Sequence, residues 1–375
     1  MTGAPLRVAV LSWRDPRHPE AGGSEVYVEE VARGLVRAGH EVTVITARPP
    51  GAPRREVLDG VRHRRSGGRL TVYLHGLWWV ALHGRRIDVV VDVINGLPFG
   101  TPLVRRHGVV ALVHHVHREQ WRMIYPGLRG RFGWWVESVL TPRLYRGVRH
   151  VTVSGTSRDD LVALGRRRED VTVVRNGLSP RPQAGSRAPE PRVVVLSRLV
   201  PHKQVEHVLD AVAALRHEHP DVRLDVVGRG WWAPQLVEHA RAVGVADLVT
   251  FHGWVDDDER DRLLAGGRVL ALPSVREGWG IAVTEAAAQG TPTVGYRTSG
   301  GLTESVVDGE TGWLVEGPDE LARVLGELLA GRLDVEAVGE AARRRASSLD
   351  WTRTAREFEE VLLGVTTGRR DRGGS

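Results

Sequence analysis

Short valine-rich runs recur along the whole chain, each followed by an amphipathic stretch, and this alternation constrains the fold more than any other feature of the sequence. Runs that are apolar at nearly every position, and not at every second one, belong to strands covered on both faces. That is the situation of a parallel sheet whose crossovers are helices. In the first half the expected strands are Arg7–Leu11, Glu41–Thr46, Val89–Val93, 109–114, 150–153 and 171–175. Gly23–Arg37 reads as the first crossover helix, because Val28, Val31, Leu35 and Val36 recur at helical spacing and Ala38-Gly39-His40 stops it. Residues 176–192 hold four prolines and no periodicity and read as a linker. A second series follows: strands 192–197, Arg223–Val227, 248–251, Val269–Leu272 and Thr293–Tyr296, with helices at 203–217, 234–243 and 281–289 and two terminal helices. The expected fold class is α/β, with two doubly wound domains whose strand ends face a cleft, where ligands bind. The domains are placed at 1–182 and 190–350, with a terminal helix, 351–368, packing back on the first domain and a charged, glycine-rich flexible tail, 369–375.

Several function classes fall away at once. The absence of cysteine excludes disulfides, thiolate zinc sites, iron–sulfur clusters and cysteine nucleophiles, and fits a reducing, cytoplasmic setting. The most apolar run, residues 70–82, is far shorter than the roughly 20 residues of a membrane span. The start of the chain reads as a buried strand and not as a signal core, so retention inside the cell is expected. The net charge of +6 hides an asymmetry. Residues 1–180 carry 28 Arg and no Lys against 16 acids, +12, and the remainder carries 23 Arg and one Lys against 30 acids, −6. No helix-turn-helix spacing, RNP-like strand or repeat array accompanies the basic half, so nucleic acid is not an expected partner. An anionic membrane surface or a phosphorylated small molecule fits it better, and arginine-favouring base composition alone would also produce it.

The stretch from Pro273 to Pro292 carries the most chemistry. It follows a buried strand, turns on Gly278 and Gly280, and opens a helix at Ile281 whose first amides have no internal partner, which makes an anion site. Glu277 on the turn and Glu285 in the helix would repel a phosphate but can grip hydroxyls, and sugar hydroxyls are their natural partners. Lys203 is the one lysine beside 51 arginines. Where drift towards Arg has replaced Lys wherever either cation serves, a surviving ammonium marks a site that needs a compact charge, such as a phosphate oxygen. Arg198, at a strand end, can add a forked contact to the same group.

These residues together resemble a family-4 retaining glycosyltransferase of the GT-B fold, two Rossmann-like domains with a glutamate, seven residues and a second glutamate as hallmark, here Glu277 and Glu285. The likeness extends to Gly22-Gly23-Ser24-Glu25, Asn176-Gly177, Gly300-Gly301-Leu302-Thr303-Glu304 and Asp308-Gly309-Glu310-Thr311-Gly312. It implies an acceptor-binding first domain and a donor-binding second one. Glu277 would contact the donor sugar, Glu285 the ribose, and Arg198 with Lys203 the leaving diphosphate. The turn Gly278-Trp279-Gly280-Ile281 would lie along the donor, and Gly22 and Gly23 would let backbone amides approach the diphosphate. Gly228-Arg229 and Trp254-Val255 occupy the positions that hold the base. His114, at the end of the strand 109–114, is the counterpart of a histidine that approaches the donor sugar, and His115 and His117 stand beside it as acceptor or sugar ligands.

No metal site is expected. The three histidines lack a carboxylate or cysteine at ligand spacing, and Asp256-Asp257-Asp258-Glu259 reads as a helix N-terminus. No cofactor is expected beyond a nucleoside diphosphate sugar as co-substrate. Trp78-Trp79, Trp121 and Trp134-Trp135 lie near Arg85-Arg86, Arg105-Arg106, Arg122, Arg129 and Arg131, which fits a peripheral surface on the inner face of a membrane and fits core or acceptor-pocket tryptophans equally well. The expected reaction is metal-independent, retaining transfer to a hydroxyl of a glycan, lipid-linked or small-molecule acceptor. A sugar-nucleotide epimerase, a phosphorylase-like enzyme and a non-enzymatic membrane-surface scaffold are the competing readings.

Overall fold

The computed structural model describes residues 4–370. The chain divides into two units, one formed by residues up to Gly177 together with those from Trp351 on, the other by Leu178–Asp350. The first unit holds β1 (Arg7–Leu11), β2 (Glu41–Thr46), β3 (Arg55–Leu58), β4 (Val61–Arg65), β5 (Val89–Val93), β6 (Val109–Leu112), β7 (Arg149–Thr152) and β8 (Val171–Val173). They form one sheet in the order β3-β4-β2-β1-β5-β6-β7-β8, and every neighbouring pair except β3 with β4 is parallel. In the centre Val8 lies beside Val42 on one side and Val89 on the other, all buried, as the unbroken valine runs require.

The last helix, Trp351–Arg370, closes this unit against helix Gly23–Arg37 and against β5 and β6. The two helices approach so closely that a Cβ on Gly34 would stand 2.2 Å from the Cβ of Ala355. Tyr27, fully buried, meets the rings of Trp351 and Phe358 edge-on and donates its hydroxyl to the Val174 carbonyl at 3.1 Å. Of the tail expected at 369–375, residues 371–375 lie outside the described residues and the helix runs to Arg370.

The second unit holds β9 (Arg192–Leu196), β10 (Arg223–Val227), β11 (Val249–Gly253), β12 (Val269–Leu272), β13 (Thr293–Tyr296) and β14 (Gly312–Val315), all parallel, in the order β11-β10-β9-β12-β13-β14. One face is buried by helices Val205–Leu215 and Pro318–Leu329, whose Leu209, Val212, Leu321 and Leu325 join Val193, Val195 and Leu224 in one core. Helices Asp257–Gly266 and Ile281–Ala288 cover the other face through Leu264 and Ala286.

Four departures from the sequence reading stand out, besides unexpected helices such as Arg118–Ile124 and Gly155–Ala163. The β3–β4 hairpin was not expected, because Arg62, His63, Arg64 and Arg65 on β4 carry no apolar alternation. Its inward Arg65 is buried in ion pairs with Asp15 and Glu56, and the turn Asp59-Gly60 has positive φ at both residues (48° and 82°), as two-residue hairpins prefer. The apolar run 70–82 is helix Thr71–His83, of which only Val72, Gly76 and Val80 are buried. The segment expected as a linker is tied down from Leu178 onward: Arg181 pairs with Asp257 and Asp261, Arg187 with Glu336, and Gln289 accepts the Ala184 N–H at 2.8 Å. Beyond β13 stand β14 and three long helices, Pro318–Leu329, Val335–Ala346 and Trp351–Arg370, where two were expected.

Candidate functional site

At the carboxyl ends of β9 to β13 five loops are joined by backbone hydrogen bonds. Ser197 N–H donates to Val227 O at 3.1 Å, and Gly228 N–H to Gly253 O at 2.8 Å. Val275 N–H donates to His202 O, and Glu277 N–H to Ser299 O, both at 2.9 Å, while Gly301 N–H returns to Glu277 O at 3.0 Å. The loops after β9 and β10 touch at Gly228, where φ is +132° and a Cβ would lie 1.8 Å from the Ser197 carbonyl oxygen, so no other residue fits. The sheet thus presents one rigid rim, made from segments far apart in sequence.

Lys203 ends the 3-10 turn Pro201–Lys203 on this rim, and its Nζ donates to Glu277 Oε1 at 2.5 Å. Both side chains are only 12% exposed. An ammonium has three donors, and among the described residues this bond is the one that Nζ makes. Arg198 is half-buried on the same loop. Ser197, Ser274 and Ser299 stand just beyond β9, β12 and β13, three adjacent strands, and their buried hydroxyls have no partner among the described residues. Buried polar atoms are normally satisfied, and here a water or a bound group can supply the partner.

The turn Gly278-Trp279-Gly280 buries Trp279 and puts Gly280 at the N-cap of helix Ile281–Ala288. Glu285, in the second turn of that helix, accepts from Arg260 Nη1 at 2.9 Å. Burial raises the Glu285 carboxyl above the ordinary glutamate range, and the Arg260 cation opposes it. On the loops after β10 and β11, Trp254 is 66% exposed, with the Arg229 guanidinium 5.5 Å from its ring centre, and Val255 packs against the core cluster of Val194, Val227 and Leu264. A flat aromatic face backed by a cation is suited to stacking a planar ring. Asp256 caps its helix by accepting the Glu259 N–H at 2.9 Å, as the sequence implied.

The first unit carries the remaining candidates. His114 is buried against Tyr27, ring centres 5.3 Å apart, and its Nε2 has no partner among the described residues. Burial lowers its pKa to about 4, so it is a neutral imidazole at physiological pH. His115 bonds the Gln120 amide at 3.1 Å, and His117 Nδ1 bonds Glu137 at 3.0 Å. Gly22 precedes helix Gly23–Arg37, and its N–H donates to Glu25 Oε2 at 2.7 Å. That carboxylate also takes Arg14 Nε at 3.1 Å, so one amide expected to face a diphosphate is already engaged within the unit. No group of three or more His, Asp or Glu side chains among the described residues is arranged to hold a metal ion.

Sequence reasoning missed Glu25 as a cap, Arg260 as the partner of Glu285, and the three serines. A glutamate at the third helical position after Gly22 is a capping-box spacing and could have been read. One arginine among 51 carries no such signal.

Comparison with known proteins bears on the chain as a whole. The family model described as "Glycosyl transferases group 1" matches residues 180–345, and that described as "Glycosyltransferase Family 4" matches residues 21–182. The GDP-mannose-dependent alpha-(1-6)-phosphatidylinositol monomannoside mannosyltransferase of Mycolicibacterium smegmatis is 32% identical over 385 residues, covering 94% of this chain and 97% of that protein. A glycogen synthase of Mycobacterium tuberculosis is 27% identical over 413 residues, 97% of this chain and 96% of that protein. Sucrose-phosphate synthase from Thermosynechococcus elongatus superposes with a TM-score of 0.83 at 19% identity, over 97% of this chain and 100% of that one, a likeness of fold.

Proposed function

Because the chain belongs to the family-4 glycosyltransferases and has the GT-B fold, we propose that it moves a sugar from a nucleoside diphosphate sugar to an acceptor hydroxyl, with retention at the anomeric carbon and without a metal ion. The contact between Lys203 and Glu277 carries this reading. In a sugar nucleotide the phosphate on the anomeric carbon and the nearest sugar hydroxyls are neighbours. A touching ammonium and carboxylate match that junction, the carboxylate on hydroxyls and the ammonium's other two donors on phosphate oxygens.

Lys203, Arg198 and the first amides of helix Ile281–Ala288 stabilise the charge that develops on the departing diphosphate. Glu285 takes the ribose hydroxyls, and Arg229 with Trp254 holds the base. His114, as a neutral imidazole, hydrogen-bonds the donor sugar, and His115 and His117 serve the acceptor or the sugar. Gly23 offers a backbone amide to the diphosphate. Retention rests on the match to the family's paired glutamates. Metal independence is supported by the acids themselves: Asp257 and Asp261 are committed to Arg181 and Arg260, and Asp256 to its helix cap. Thermal-shift screening with UDP, GDP and ADP, then transfer assays with and without EDTA and NMR of the product anomer, tests the whole reading. Failure of every nucleoside diphosphate to stabilise the protein, or loss of activity in EDTA, refutes it or its metal-free form.

The acceptor, in this proposal, is lipid-linked and reached at an anionic membrane surface from the cytoplasmic side. On helix Thr71–His83, Leu74, Trp78 and Leu82 recur every four residues and are 71%, 63% and 59% exposed, with Arg85 and Arg86 exposed just beyond. An apolar stripe flanked by arginine suits a headgroup layer. No helix among the described residues is long and apolar enough to cross a membrane. Flotation with phosphatidylglycerol vesicles at low salt should carry the protein up, and Trp78→Asp should abolish this; no flotation sinks the membrane assignment.

A further inference from the structure

Glu285 stands in a cluster that the proposed reaction does not explain. Arg260, on helix Asp257–Gly266, reaches it with Nη1 at 2.9 Å and uses the same nitrogen on Asp257 Oδ1, also at 2.9 Å. Its Nη2 and Nε bond Asp261 Oδ1 at 2.7 and 2.9 Å. Arg181 holds Asp257, Asp258 and Asp261 from the other side. One guanidinium therefore spans three carboxylates, a task for a planar fork and not for an ammonium. Only Oε1 of Glu285 is engaged, and the described residues give Oε2 no hydrogen bond.

We propose that Arg260 is a positioning residue for the nucleotide: anchored by Asp257 and Asp261, it fixes Glu285 by one oxygen and leaves the other for the ribose hydroxyls. The proposal rests on the reading of Glu285 as the ribose ligand. Burial, reinforced by the Asp261 and Asp257 carboxylates, drives Glu285 towards its neutral acid, which is a weaker acceptor for two hydroxyls; the adjacent guanidinium opposes that drift and sets the rotamer. Arg181 adds an outer layer. It belongs to the proline-rich segment that opens the second unit, so the first residues past the boundary buttress the same carboxylates.

The test uses the full chain and measures the affinity for UDP, GDP and ADP and for the 2′,3′-dideoxy counterpart of whichever binds best. The wild-type protein should prefer the ribose form by about 10- to 100-fold, as hydrogen bonds to a charged acceptor imply. Arg260→Gln should lose most of that preference while binding the dideoxy form nearly as well as wild type, and Arg260→Lys should restore part of it. Glu285→Gln should erase the preference, and the double variant Arg260→Gln/Glu285→Gln should show no further loss. If Arg260→Gln and Arg260→Lys weaken both ligands equally, or if the double variant adds the two effects, Arg260 merely holds the local fold and the proposal fails. If instead Glu285→Gln keeps the ribose preference, the assignment of Glu285 to the ribose is what fails. Melting temperatures of all variants, taken without ligand, separate lost folding from lost recognition.

Discussion

Lys203 is where the mildest exchange in this chain should be the most damaging. Lys203→Arg keeps the charge but replaces a compact group by a fork beside Glu277, where both side chains are nearly enclosed. Turnover should fall about 100-fold or more, close to the fall for Lys203→Met, as for removal of one preorganised donor from a developing anion. Equal activity of Lys203→Arg and wild type would show that the site tolerates a guanidinium. Two buried histidines set a separate, acid-side limit. His114 and His150 have pKa values lowered by burial from 6.5 to about 4. The unfolded chain therefore binds more protons between these values, and stability should be level above about pH 6.5 and decline as pH falls towards 4. The two together cost on the order of several kcal/mol across that window, and His150→Asn should flatten part of the decline in pH-dependent melting. At this scale the sequence shows what is rare or rhythmically spaced. Lys203 stood out as a lone lysine, and Glu277 with Glu285 by their separation, whereas Arg260 is one of 51 and is distinguished only by its neighbours in space. Tandem tryptophans were equally mute: Trp78 and Trp135 are exposed, while Trp79 and Trp134 pack on core clusters, a division that adjacency cannot reveal.

Elements were legible where burial dictates composition. The parallel strands announce themselves because a strand covered on both faces has no place for polar side chains. The β3–β4 hairpin did not, since β4 turns His63 and Arg65 inward and satisfies Arg65 with carboxylates rather than with apolar contacts. Helix Thr71–His83 was hidden for the opposite reason: its buried and exposed faces are both apolar, so no periodicity separates them. Contacts between helices are legible only in three dimensions. Gly34 is conformationally ordinary, yet its missing side chain is what lets helices Gly23–Arg37 and Trp351–Arg370 touch at Ala355. Gly34→Val should therefore destabilise the first unit by about 1–3 kcal/mol through overpacking, read as a drop in melting temperature. Gly34→Val with Ala355→Gly should recover part of it, and an unchanged melting point in the single variant would mean that the helices can slide apart without cost.

For the whole molecule, the division into two α/β units follows from two series of valine runs interrupted by prolines, and the last helix, Trp351–Arg370, groups with the first of them. Trp351, Phe358 and Leu362 are buried in the unit built from the other end of the chain, alongside Tyr27 and the strands β5 and β6. A chain ending at Asp350 should lose this cover, leaving apolar surface on the central strands. It should aggregate or bind ANS while its second unit still melts cooperatively, and a soluble, fully cooperative product would show the helix to be dispensable. The same closure has a consequence for synthesis. Domains generally fold in the order in which they leave the ribosome, yet here the first unit waits until a segment made after the second unit, from Trp351 on, has emerged before its interior is sealed. Until then a nascent chain carries an unfinished unit together with a complete one. Translation that stops before Trp351 would release a chain whose defect lies in the first unit, not next to the break.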